Sequence, residues 1–267
     1  MPNLAERLAH TRSGLDIGCG DGSHTKRMAS LQPEHSTMLG LDLSETMIAA
    51  AKKRSKGWTS HSGGAVDFVA ADVRVWATKE SSNFSAHDLA TSFMALHWVK
   101  ESDLLDTLRS IRLALQSHSA NGPSWFYASH HSGPTTMGLL MDAVRATLHE
   151  PMWQTHFPNG ESDFVPITML PAKHWAELLD GAGFDVEQGV VNSRIVETTF
   201  NDADAAFERL AAAWGPMLPT LSDTSLRNSF FRDVASRAVS IPSSIATRSG
   251  STVTMENLIV DIAVPGK

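Results

Sequence analysis

The chain has almost no cysteine: of its 267 residues only Cys19 is one, so no disulfide can form within it. A reducing compartment is the simple expectation, and neither thiol redox chemistry nor a cysteine-cluster metal site follows. No run of about 18 apolar residues occurs, the length a membrane-spanning helix needs. The first residues, MPNLAERLAHTRSG, lack the apolar core of a secretory signal, so a cytoplasmic protein without membrane attachment is expected. Positive charge is also scarce. Against 29 Asp and Glu stand 22 Lys and Arg, a formal net charge of −7, and these totals carry no basic footprint for nucleic acid. Repeats are not evident, although the serine-rich stretch from Ile241 to Ser251 reads as a loop. With 42% hydrophobic and 19% charged residues, the composition is that of a globular chain with one sizeable core and additions.

What the sequence does have is LDIGCGDGSHT, from Leu15 to Thr25. An apolar strand end runs into Gly18, Gly20 and Gly22 at alternate positions, and the chain then leaves as a helix. Glycine accepts the positive φ of a tight strand-to-helix turn, and side chains here would fill the space in which a ligand lies against the backbone. Phosphate templates do not fit: a dinucleotide fingerprint wants glycine where Ser23 stands, and no lysine follows the glycines as in a P-loop. Asp16 and Asp21 make the loop acidic, which suits hydroxyls, an ammonium and a sulfonium better than a pyrophosphate.

The stretch resembles the first motif of the class I S-adenosylmethionine (SAM)-dependent methyltransferases, D-x-G-x-G-x-G, matched by Asp16, Gly18, Gly20 and Gly22. That resemblance implies SAM as cofactor and S-adenosylhomocysteine (SAH) as product, with Cys19 and Asp21 in the cofactor loop. Thr37 to Leu43 is an apolar run of strand length, and its Asp42 lies 20 residues beyond Gly22, the spacing at which a carboxylate ending the second strand accepts ribose hydroxyls. Ser44 fits the N-cap of the next helix, with Met47 and Ile48 as its first apolar positions. After the strand Ala65 to Ala70, the resemblance places Asp72 on the adenine amino group and Val73 against the ring; a helix-capping Asp72 is the rival reading. It also places Leu43, Met47, Ser92, Phe93 and His97 around the cofactor.

His87 to Ser92 reads as the fourth strand, and its end discriminates among acceptors. Methyltransferases of exocyclic base amines carry an Asn- or Asp-Pro-Pro-aromatic turn there, whereas this chain has Thr91-Ser-Phe-Met94; a pyrimidine C5 enzyme needs a cysteine nucleophile, and Cys19 lies elsewhere. Instead Ala95-Leu-His-Trp-Val99 is similar to the motif of a small-molecule group: trans-aconitate methyltransferase, the malonyl-thioester methyltransferase of biotin synthesis and juvenile hormone acid methyltransferase. All three esterify carboxylates. His97 is either a base or orienting donor at the transfer point, or a histidine packed beside Trp98; a carboxylate acceptor needs no base.

The strand–helix alternation predicts an α/β fold with a doubly wound parallel sheet, and the resemblance implies its Rossmann-like form, a seven-stranded mostly parallel sheet with an antiparallel last strand. A helix over Ser102–Leu115 covers it, Ser124–Ser129 is the fifth strand, Pro171–Ala182 a further helix and Phe184–Val191 the sixth strand. The resemblance covers roughly residues 13 to 130 closely and the rest by layout. One domain is expected, with a helical cap from insertions at about 133–169 and 196–251. In the first, Met137, Leu140, Met141, Val144 and Leu148 share a helical face, followed by Met152, Trp153, Phe157 and Phe164: an added core, or part of a lid over an apolar pocket. The second carries helices around Asp202–Ala213 and Thr224–Val239.

Candidate substrate contacts are Trp98, Met141 and Trp153, with Arg145, Arg194 and Arg232 as carboxylate anchors, because a guanidinium pairs with a carboxylate bidentately. The expected activity is methylation of a small molecule, a carboxylic acid first, by a monomer or homodimer without a metal. Two rivals remain: methylation of a phenol, amine or carbon acid with His97 as base, and a SAM-binding partner subunit without turnover. Group members usually carry a longer N-terminal segment that folds over the cofactor, where a dozen residues precede the first strand here.

Overall fold

The computed structural model describes residues 4–60, 64–79, 87–115, 123–131, 136–164, 167–200, 218–239 and 251–264. The chain divides into two compact units, one of Met1–His130, Leu170–Ser193 and Leu258–Lys267, the other of His131–Met169 and Arg194–Asn257.

In the first unit the order is α1 (Leu4–Leu8), β1 (Ser13–Ile17), α2 (Ser23–Ala29), β2 (Thr37–Asp42), α3 (Glu45–Ser55), β3 (Ala65–Ala70), α4 (Val73–Lys79), β4 (Leu89–Phe93), α5 (Glu101–Ala114) and β5 (Ser124–His131). A single turn of 3₁₀ helix, Leu96–Trp98, separates β4 from α5. Later come α8 (Ala172–Gly181), β6 (Val190–Phe200) and β7 (Ser251–Val264), each of these two strands having residues in both units. The seven strands form one sheet in the order β3-β2-β1-β4-β5-β7-β6, parallel from β3 to β5, with β7 antiparallel. Crossovers reverse direction between β1 and β4, the switch point where doubly wound sheets hold ligands at the carboxyl ends of their strands. Register brings these ends level: Ile17 lies opposite Leu41 and Ser92, Asp42 opposite Ala70, and Phe93 opposite Ser129.

Strand alternation divides the core between two faces. One buries Leu15, Ile17 and Leu41 against Leu104, Leu108 and Ile111 of α5 and Trp175 and Leu179 of α8, each such side chain contributing about 1.5–3 kcal/mol. The other packs Leu8, Met28, Met38 and Leu89 together, beside a second cluster of Cys19, Ile48, Ala51 and Phe68. Across the sheet, Arg7 of α1 reaches Asp261 of β7: Nη2 donates to Oδ2 at 2.9 Å, and Nε lies 2.8 Å from Oδ1. The guanidinium also stacks 3.1 Å from the ring centroid of Trp125.

The sixth strand differs from expectation, starting at Val190 rather than Phe184. Phe184 is instead a core side chain, 5.6 Å from the Phe126 ring, and Asp185 Oδ1 accepts the Gln188 N–H at 3.3 Å, closing a turn before the strand starts.

The second unit contains α6 (Thr136–Leu148), α7 (Pro151–Gln154) and α9 (Thr224–Val239). Asp223 caps α9 by accepting the Leu226 N–H at 2.7 Å. The unit's core is aromatic: Phe230 meets Trp153 edge-on at 5.1 Å and Phe157 at 5.2 Å, with Met141, Val144 and Leu148 of α6 also buried. The helix expected around 202–213 and the loop over 241–250 lie outside the described residues. Among the described residues no helix is long and apolar enough to cross a membrane.

Candidate functional site

The loop after β1 is built by three glycines with three different duties. All have positive φ: 69° at Gly18, 55° at Gly20 and 75° at Gly22. A Cβ on Gly18 would sit 2.1 Å from that of Ala95, and one on Gly22 would press into Phe68 at 2.6 Å, so these two are glycine because protein fills the space. A Cβ on Gly20 would meet nothing within 4 Å. Only at Gly20 does the loop border open space, which is narrower than the expectation that all three glycines make room for a ligand.

Two carboxylates fix the loop. Asp16 is buried, its Oδ2 accepting from the Thr25 hydroxyl of α2 at 2.6 Å and its Oδ1 from the Thr91 hydroxyl of β4 at 3.0 Å. Burial outweighs these bonds and pushes its carboxyl up to about 6. Asp16 therefore acts on the loop from beneath, tying both flanking elements to β1. Asp42, at the end of β2, accepts the Gly20 N–H on Oδ2 and the Ser44 N–H on Oδ1, each at 2.9 Å. A carboxylate has about four lone-pair sites, so each oxygen keeps one for a ligand hydroxyl. Cys19 points into the core, and burial, helped by Asp16 and Asp42, pushes its thiol up to about 12, leaving it protonated. Asp21 pairs with Arg54 at 2.9 Å and is held below the ordinary carboxylate value by hydrogen bonding from Ser23.

Around this loop lie the other expected cofactor residues. Leu43, directly after β2, is 70% exposed and Met47, in the first turn of α3, 45%: two large apolar side chains left uncovered where β2 ends. Asp72 follows β3, but both its oxygens face Arg74, whose Nη2 lies 2.7 Å from Oδ2. Its Oδ1 also accepts the Arg74 N–H at 3.0 Å, the capping geometry of α4. Val73 opens that helix. Ser92 is buried with its hydroxyl on the Ile17 carbonyl at 3.2 Å, so it joins β4 to β1. Phe93 is half-buried between His24 and Tyr127. His97 is only 4% exposed, 5.3 Å from the ring of Trp98, which is half-buried.

Met141, Arg145, Trp153, Arg194 and Arg232 all belong to the second unit. Met141 and Trp153 lie inside its core, the Trp153 indole N–H donating to Asp233 Oδ2 at 2.8 Å. Arg145 binds Asp142 at 3.0 Å with Glu161 at 3.8 Å, while Arg194 and Arg232 are exposed. Two neighbours of the loop are additions to the residues expected from the sequence: His24, edge-on to Phe93 at 5.8 Å, and Met94, with φ 53°. Methionine carries no sequence mark of a left-handed backbone, so no signal points to it.

Residues 15–118 match the model of a methyltransferase domain family. The chain is similar to the trans-aconitate 2-methyltransferase of Acidovorax sp. (strain JS42), 37% identical over 98 residues, which is 36% of this chain and 33% of that one. Toward the same enzyme of Mycobacterium ulcerans (strain Agy99) it is 34% identical over 106 residues, 39% of this chain and 34% of that one. The chain thus spans about a third of the curated relatives it matches. Among solved structures, a SAM-dependent methyltransferase of Methanosarcina mazei superposes with a TM-score of 0.52 over 98% of this chain and 97% of its own, at 14% identity. The cyclopropane synthase MmaA2 of Mycobacterium tuberculosis gives 0.54 over 97% and 82%, at 12% identity. The fold is that of a class I SAM-dependent methyltransferase. The donor set fits SAM: an open approach at Gly20, an acceptor-only carboxylate at Asp42 for ribose hydroxyls, and apolar Leu43 and Met47 beside it for a purine ring.

Proposed function

We propose that this methyltransferase esterifies a carboxyl oxygen of a small molecule. The observation that carries the cofactor half is the pairing of Gly20 with Asp42: the carboxylate holds the loop open by its N–H and keeps acceptor capacity toward the same open side. The carboxylate acceptor is supported by the similarity to trans-aconitate 2-methyltransferases and by the buried setting of His97. When bound, SAM supplies a methyl group on a sulfonium. This chain's residues orient and shield: Asp42 takes the ribose, Leu43 and Met47 cover the adenine, and Asp16 keeps the loop in register through Thr25 and Thr91. An acceptor carboxylate held in line would form the new C–O bond as the C–S bond breaks, the bonding pair staying on sulfur. No proton leaves, so rate comes from alignment and exclusion of water.

Calorimetric titration with SAH tests the cofactor site. Micromolar binding is expected for the wild type, weakened about 10- to 100-fold in Asp42→Ala, which loses a charged acceptor for two N–H groups and the ribose. Equal affinity of the two proteins would refute the assignment. His97→Ala then separates acceptors: carboxyl methylation should change by less than about tenfold, whereas a phenol acceptor needing a base should lose on the order of 100-fold or more.

A further inference from the structure

Met94 stands directly after β4 with a backbone that a residue bearing a Cβ seldom adopts, φ 53°. The surroundings force it from several sides. Its N–H donates to the Ser129 carbonyl at 2.8 Å, the next residue, Ala95, occupies the space that Gly18 leaves by lacking a Cβ, and Leu96 and His97 are buried just beyond. Yet its side chain is 41% exposed, at the switch point where the glycine loop and the end of β4 meet. Phe93 and Trp98, both half-buried, flank it in the chain.

The arginines near this edge are already paired. Asp21, Asp42 and Asp72 follow β1, β2 and β3, and the arginines beside them, Arg54 and Arg74, are bound to Asp21 and Asp72. The first lysine or arginine after β4 is Lys100, seven residues beyond Phe93. A tricarboxylate would meet guanidiniums already bound to carboxylates, whereas a hydrocarbon or aromatic body would meet a thioether and two rings.

Resting on the carboxyl-methylation reading above, we propose that Met94 determines acceptor specificity. Its side chain is the apolar wall beside the transferred methyl, and it selects a monocarboxylic acid with a hydrocarbon body over a polycarboxylate. Oxygen–carbon bond formation and carbon–sulfur cleavage are those given above, with no further reactant.

The test compares wild type, Met94→Gly and Met94→Leu in SAH calorimetry, thermal melting and methyl transfer from SAM to decanoate and to trans-aconitate. Wild type should favour decanoate by about tenfold or more in kcat/KM. Met94→Gly should bind SAH within about twofold of wild type and melt no lower, since glycine takes the positive φ freely, while losing about tenfold or more on decanoate alone. Met94→Leu should retain most decanoate activity. A wild type preferring trans-aconitate, or binding SAH but methylating neither acid, overturns the proposed acceptor class and leaves the cofactor site standing. Equal losses on both acids in Met94→Gly, no loss, or a lower melting temperature with SAH binding gone also overturn it, the last marking Met94 as turn support only. Failure of the wild type to bind SAH refutes the methyltransferase reading itself.

Discussion

The loop between β1 and α2 and the core of the second unit are made of different materials. The loop is backbone, held by N–H groups on Asp42 and by hydroxyls on a buried Asp16, and its shape depends on residues that have no side chain. The second unit is side chain, an aromatic knot around Phe230 with a polar tie from Trp153 to Asp233. Backbone geometry fixed by glycine is intolerant of a single methyl group. Aromatic packing tolerates a change of shape but answers to lost polar partners.

Gly18→Ala should break that contrast hardest. Its new Cβ has no room beside Ala95, and φ of 69° adds strain, so stability should fall by about 3 kcal/mol or more in denaturant unfolding, with SAH binding lost. Gly20→Ala sharpens it. Here the methyl enters open space, so only about 1 kcal/mol of stability should go, from the positive φ, while SAH affinity falls about tenfold or more because the methyl stands in the cofactor's place. If both variants lose stability alike, the division of labour among the glycines is wrong. In the second unit, Trp153→Phe keeps the ring packing but strips Asp233 of its donor; about 1–2 kcal/mol should be lost with SAH affinity unchanged. A drop in SAH affinity there would deny that Trp153 serves only its own unit.

The smallest effect is a cancellation. Burial raises Asp16 from 3.8 to about 6, so the stability it contributes is present below 3.8 and lost as pH rises through 6. Burial lowers His87 from 6.5 to about 4, so its contribution is present above 6.5 and lost as pH falls through 4. Between these limits the two slopes oppose each other. Asp16→Asn should therefore leave stability rising more steeply with pH from 4 to 6.5, and His87→Gln should leave it falling. Parallel pH profiles for both variants and the wild type would show that neither shift exists.

The contrast also explains what the sequence discloses. Glycines at alternate positions and carboxylates at strand ends are local signals, so the places of Gly20 and Asp42 and the succession of strands and helices are legible from spacing, whereas the burial of Asp16 on Thr25 and Thr91 is not. The duties of Gly18 and Gly22 are not, because each is defined by a residue far along the chain, Ala95 and Phe68. Asp72 differs: its place after the strand resembles an adenine contact, but its oxygens face a neighbour two residues on, Arg74. Phe184 resembles the start of a strand because a buried phenylalanine reads alike in a strand or a turn. The aromatic stripe from Met141 to Phe164 is apolar at helical spacing, and periodicity alone does not say whether it faces its own core or a ligand.

The bond between Arg7 and Asp261 couples two distant parts of the chain. Arg7 leaves the ribosome 254 residues ahead of its only carboxylate partner among the described residues. Until Asp261 follows, docking α1 over Trp125 would bury a guanidinium without a counter-charge, which is strongly unfavourable. Docking of α1 over Trp125 is therefore coupled to the placing of β7.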